Sequence, residues 1–171
     1  MFNKKYYIVI LFIFFALLSK AQNSYEILRH YLNEVRSGNF PPPPESLSNP
    51  EITPSILRAL QIYYLDSTFA VRLKANAITH EVGIRSNEVA IRQQAIKQLI
   101  QACKDKDSGI IGSVFDYLTE FNKEDFTKEA RDTLISIFKS KPPHLDKIEK
   151  LLGFLELNQV LDDLRTISQQ S

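Results

Sequence analysis

From residue 24 onward the apolar positions recur three and four apart, and no run alternates as a strand would. "SYEILRHYLNEVRSG" puts Ile27, Leu28, Tyr31, Leu32 and Val35 on one helical stripe, with Ser24 to cap it and Gly38 to end it. After a proline-rich stretch the pattern predicts helix after helix. "TPSILRALQIYYLD" opens on Thr53 as a cap and Pro54 at the first helical position. "STFAVRLKANAITHEVGIRS", "NEVAIRQQAIKQLIQACKD", "DSGIIGSVFDYLTEF", "KEDFTKEARDTLISIFKS", "HLDKIEKLLGFLE" and "NQVLDDLRTIS" follow. The links are short: Asp66-Ser67, Ser86-Asn87, Asp105 to Ser108, Asn122-Lys123 and Lys141 to Pro143. Links of that length make consecutive helices antiparallel neighbours.

Alternate helices share a period of 35 residues: Ile56, Ile91 and Phe126 align, as do Leu60, Ala95 and Ala130, and Tyr64, Leu99 and Leu134. The intervening set repeats at 34, with Val114, Tyr117, Leu118 and Phe121 matching Ile148, Leu151, Leu152 and Leu155. A helix pair recurring at roughly 30–45 residues predicts stacked pairs, each burying its apolar face on the next. That demand explains the wide apolar arc on residues 89–103, and it makes Arg92 conspicuous near the middle of the arc.

The same residues carry a resemblance. "DSTFAVRLKANAI", 66–78, resembles the core of a HEAT repeat, with an acid in the turn, then Val-Arg, then alanines at helical spacing. "SNEVAIRQQAIKQL", 86–99, is similar, with Asn87 and Glu88 replacing the turn aspartate. "DKDSGIIGSVFDYL" keeps Asp105 and Asp107 but has Ile111 or Gly112 where arginine is expected. "NKEDFTKEARDTL" keeps Asp125 and Ala130 but has Thr127 at the arginine position. The likeness covers about residues 53–140. It implies an all-α, armadillo-type fold: a short right-handed α-α superhelix, a HEAT-like solenoid of roughly three helix pairs, plus an N-terminal helix. It also implies a ladder in which turn acids hydrogen-bond helix arginines of successive repeats. The rungs would be Asp66, Arg72, Arg92, Asp105, Asp107 and Asp125. Arg92 would reach the Glu124-Asp125 turn or its own neighbour Glu88, and Arg72 would reach Asp66 or the Asp105–Asp107 turn.

The N-terminus changes the picture of where the protein goes. Lys4 and Lys5 precede thirteen continuously apolar residues, 6–18, and then "SKAQ". That is the layout of a secretory signal. Thirteen residues at about 1.5 Å each span about 20 Å, short of a bilayer core of about 30 Å. Cleavage after Ala21 is therefore expected, with a retained membrane anchor as the alternative. The "SKAQ" region resembles signals of Bacteroidota-type bacteria, which implies a periplasmic or secreted protein. Cleavage takes the 21 basic residues to 18 against 20 acidic ones, a formal charge of −2. Such near-neutrality offers no footprint for nucleic acid or anionic lipid. The expected organisation is a signal at 1–21, a helix at 22–38, a proline-rich linker or strap at 39–52 and the repeat domain at 53–171. Pro41 to Pro44 favour an extended polyproline conformation.

Candidate chemistry is sparse. Cys103, the one cysteine, falls on the apolar arc and reads as a buried thiol, with no internal disulfide available. His30, His80 and His144 are far apart, and "HEVGI" lacks the second histidine of a zinc-protease helix. No phosphate loop, nucleophile elbow or Cys/His cluster at metal spacing appears. The paired acids Glu124-Asp125 and Asp162-Asp163 read on their own as solvated faces. No catalytic residue, cofactor or metal is expected. The reading is an exported, non-enzymatic interaction or scaffold module for a protein or peptide, with no nucleic-acid partner and membrane contact only if 6–18 is retained. Tyr63, Arg85, Gln94, Gln98 and Gln101 are the candidate exposed contact residues. The alternatives are an enzyme or accessory lyase on the same scaffold, for which His80 with a carboxylate and Tyr63 or Tyr64 in a pocket would speak, and a membrane-tethered structural subunit.

Overall fold

The computed structural model describes residues 19, 22–48, 53–139, 144–157, 160 and 162. Residues 1–18, the main part of the expected signal, the link at 140–143 and most of the last expected helix lie outside them. Among the described residues the protein is all-helical, without a strand. The helices are α1 (residues 22–36), α2 (Thr53–Leu60), α3 (Phe69–Arg85), α4 (Val89–Ala102), α5 (Ser108–Leu118), α6 (Lys128–Lys139) and α7 (Leu145–Phe154). No helix among the described residues is long and apolar enough to cross a membrane.

From α2 to α5 each helix packs on the next, and from α2 to α7 each packs on the next but one. α3 lies along α4, and α4 along α5. α2, α4 and α6 are successive neighbours, and so are α3, α5 and α7. The 35-residue register is visible in the core, where Ile56, Ile91 and Phe126 are all buried. So are Leu99 and Leu134, with Tyr64 packed against the same core. α3 sits at the centre and meets α2, α4, α5 and the strap. It therefore buries residues around its circumference, Val71, Arg72, Ala75, Asn76, Ile78, Thr79 and Val82 among them, so it has no polar face of ordinary width. Gly83 lets α3 and α4 touch: a Cβ there would lie 2.6 Å from that of Ala95 and 2.7 Å from the Phe121 ring.

α1 joins the same core through Leu28, Tyr31, Leu32 and Val35, so the segment at 39–52 does not separate two units. α1 is already helical at residue 22, so Ser24 is a buried helical residue and not the cap. The helix does end at Gly38, whose φ of 89° lets Asn39 N–H bond Glu34 O and Gly38 N–H bond Val35 O. Pro41 to Pro44 run as a strap, Leu47 anchors it in the core, and its 3₁₀ turn Glu45–Ser48 packs on α2 and α3.

Two helix boundaries differ from the periodic pattern. The α2 segment tightens into a 3₁₀ turn at Gln61–Leu65. The segment before α6 is a 3₁₀ turn, Lys123–Asp125, followed by extended backbone at Phe126. This break turns Asp125 inward to meet Arg92 and lets the Phe126 ring pack edge-on to Phe154, 6.3 Å between centroids.

Candidate functional site

Three consecutive inter-helix turns are built alike. Asp66 Oδ1 accepts the Thr68 N–H at 2.9 Å, Ser86 Oγ accepts the Glu88 N–H at 3.1 Å, and Asp105 Oδ1 accepts the Asp107 N–H at 2.8 Å. Such short polar side chains stabilise a turn by bonding the backbone two residues on. Thr68, Glu88 and Asp107 then lead into α3, α4 and α5 in extended conformation.

The fourth residue of α3 is Arg72. Its Nε and Nη2 bind Asp105 at 2.8 and 3.2 Å, Nη1 donates to Asp66 O at 2.7 Å and to Ser67 O at 3.3 Å, and Nη2 also pairs with Asp107. All five donors of a guanidinium are thus used, in a site where the side chain is 3% exposed. The fourth residue of α4 is Arg92. Its Nε and Nη2 hold Asp125 at 2.7 and 3.0 Å, and Nη1 donates to Ser86 O at 3.0 Å. Its guanidinium passes over Glu88 in favour of Asp125. Both arginines therefore clasp a carbonyl six residues back and a carboxylate 33 residues ahead. Asp66 contributes its carbonyl to Arg72, and its carboxylate pairs with Arg36 of α1. Asp125 is buried, which corrects its reading as part of a solvated face; Glu124 is exposed.

The sequence pattern missed three members of this framework. α6 begins at Lys128, so its fourth residue is Arg131, not Thr127. Arg131 donates to Lys123 O at 2.7 Å, Phe126 O at 3.2 Å and Leu155 O at 2.9 Å, all carbonyls. The fourth residue of α5 is Ile111, which is buried. There the tie comes from α7: Lys147 Nζ reaches Gly112 O at 3.1 Å and pairs with Asp116. Lys123 pairs with Glu156. The signal for Arg131 was present, since it follows Asp125 by the same six positions that separate Arg72 from Asp66.

Between α4 and α6 these ties hold open a cleft of about 440 Å3. Its floor includes Ile100 and Ala130. Its α4 wall carries Gln93, Gln94, Lys97 and Gln101, with Lys104 in the turn just past the helix; its α6 side carries Thr127, Glu129 and Thr133. The amides of Gln93, Gln94 and Gln101 make no hydrogen bond among the described residues. Lys97 and Glu129 approach to 3.7 Å across the cleft, both largely in solvent.

Two of the five candidate contact residues, Gln94 and Gln101, therefore line one cleft. Gln98 does not: it is 2% exposed, donates to Leu57 O at 3.0 Å and accepts from the Tyr64 hydroxyl at 3.2 Å. Tyr63 is buried as well. Both expectations of exposure are corrected, and for one reason. Tyr63 follows Ile56 by seven positions and Gln98 follows Ile91 by seven, which puts each on its helix's buried arc. Arg85 is exposed and pairs with Glu81 beside a separate cleft under the strap.

No protein-family model, curated protein or solved structure matches the chain.

The remaining chemistry-bearing groups sit elsewhere. Cys103 is buried, its thiol 3.7 Å from Leu99 O, and burial pushes its pKa well up. His80 stacks on Tyr117 at 4.5 Å and meets Phe121 edge-on at 5.9 Å. Its Nε2 lies 3.1 Å from Glu120 Oε2, off the direction of a good hydrogen bond. Burial lowers its pKa, with Glu120 and Glu81 pulling the other way. Tyr64 belongs to a different network, with Thr79 and Gln98, and burial raises its pKa. His80 is thus not gathered with Tyr63 or Tyr64, and the clefts named above are lined by other residues. Among the described residues no group of three His, Cys, Asp or Glu is placed to hold a metal.

Proposed function

We propose that this chain is an exported, non-enzymatic interaction module, a short HEAT-like solenoid that holds a protein or peptide segment in the cleft between α4 and α6. The observation that carries this is the pairing of two features in one place. The cleft has an apolar floor and three uncommitted primary amides, and its α4 wall is tied to the turn leading into α6 by the part-buried Arg92–Asp125 clasp. A primary amide offers a donor and an acceptor together, which suits a peptide group. Walls held rigidly lose little entropy on binding. The packing of each helix on its next-but-one neighbour supports the solenoid reading, and the layout of residues 1–21 supports export.

A photo-crosslinking side chain at Gln94 or, as a control, at Ser113 on α5 tests this in the producing cell. A discrete adduct from position 94 and none from 113 is expected. Equal adducts from both positions, or none from 94, would overturn the reading.

A further inference from the structure

We propose that the α4–α6 cleft selects an extended peptide carrying two acidic side chains about three residues apart. This rests on the cleft being the binding site. The argument is one of charge. Inside the cleft Asp125 is neutralised by Arg92, and Glu129 is matched by Lys97. Lys104 has no ion-pair partner among the described residues and is exposed at the end of α4. With Arg92, which stands behind Asp125, counted in, the cleft has one cation in excess. It also has a second cation held only loosely: a solvent-exposed pair at 3.7 Å contributes little, so a ligand carboxylate can take Lys97 from Glu129.

Spacing completes the argument. Lys104 lies two residues past the end of α4, in a turn of i→i+3 hydrogen bonds, so five α-helical residues and two tighter ones set it about 11 Å along the axis from Lys97. An extended chain in the polyproline II conformation advances about 3.1 Å per residue with three residues per turn, so carboxylates at positions n and n+3 lie on one side about 9 Å apart. The flexible lysine stems absorb the small remaining difference in spacing. Gln101 lies between the two lysines in the chain and Gln94 just before Lys97, and all four line the cleft, so the amides are available to the peptide groups of the same segment. A basic or neutral segment leaves Lys104 uncompensated; an acidic one does not.

The test is an NMR titration of the isotope-labelled chain with three capped hexapeptides. One is Ser-Glu-Thr-Ser-Glu-Thr; the second has Gln for both Glu residues, and the third has Lys. The acidic peptide is expected to shift the amide signals of Gln94, Gln101, Lys104 and Thr133, to bind at least fivefold tighter than the glutamine form, and to weaken at least tenfold with Lys104→Glu. Lys104 makes no contact that folding needs, so that variant keeps its melting temperature. If the glutamine or lysine peptide binds in the cleft as tightly as the acidic one, the acidic selection is overturned and the cleft reading stands. If none of the three shifts the cleft signals, both are overturned.

Discussion

Arg92 and Asp125 are 33 residues apart and meet through two parallel hydrogen bonds, Nε to Oδ2 at 2.7 Å and Nη2 to Oδ1 at 3.0 Å. Bidentate pairs of this kind fix register as well as distance. The carboxylate is 4% exposed, so removing the cation leaves a buried charge unmatched. Arg92→Met should lower the thermal midpoint and, by leaving the cleft-lining Asp125 unmatched, weaken binding of the acidic hexapeptide as well. An unchanged melting curve with lost binding would show that Arg92 is a contact residue instead.

Arg72 is the more enclosed clasp, holding two carboxylates and two carbonyls. Breaking a buried pair from one side costs about 3–5 kcal/mol, and partial exposure of Asp107 sets Arg72→Met near the low end, about 3 kcal/mol. Urea denaturation should show that loss. Arg131→Met should cost less, since its three acceptors are neutral carbonyls.

Gly83 is a packing site. In a helix interior, alanine gains about 1 kcal/mol over glycine. Here the added methyl would overlap Ala95 Cβ, which is fixed to backbone, and the Phe121 ring. Overpacking typically costs about 1–3 kcal/mol, so Gly83→Ala should be net destabilising by about 1 kcal/mol in urea. A stabilised variant would mean that α3 and α4 separate freely.

Gln94 and Gln98 differ by one helical turn and have opposite roles. Gln98→Ala takes the side-chain donor from Leu57 O in the core and leaves the Tyr64 hydroxyl with Thr79 alone, at about 1–3 kcal/mol. Gln94→Ala should stay within about 0.5 kcal/mol of the parent while weakening peptide binding. Equal destabilisation of the two variants would refute the distinction.

His80 predicts a pH dependence. Burial holds its pKa below the ordinary 6.5, although Glu120 and Glu81 oppose the shift. The unfolded chain then binds the proton more readily, so stability is full above about pH 6.5 and is lost as pH falls toward the folded pKa. The urea midpoint should drop between pH 7.5 and 5.5, and His80→Phe should drop less. An equal drop would place the titration on other groups.

How much of this was legible depends on distance along the chain. The 35-residue register announced which helices are neighbours, and the acids and arginines of the turns were visible as a set. Arg131 escaped because the periodic pattern starts α6 at Lys123, whereas the buried Asp125 delays it to Lys128. Gln98 and Tyr63 were misplaced because residue type was weighed above helical phase. The cleft itself was invisible: Gln94 and Glu129 are brought together only by the packing of α4 on α6.

The sequence by itself determined the helices and their repeat, because helical period is a relation between residues three and four apart. Tertiary structure alone decided which polar side chains are spent on the frame and which stay free. That choice depends on what stands opposite each side chain across a helix interface, about 30 residues away in the chain. The same residue type, glutamine, is a buried crosslink at 98 and an open donor at 94.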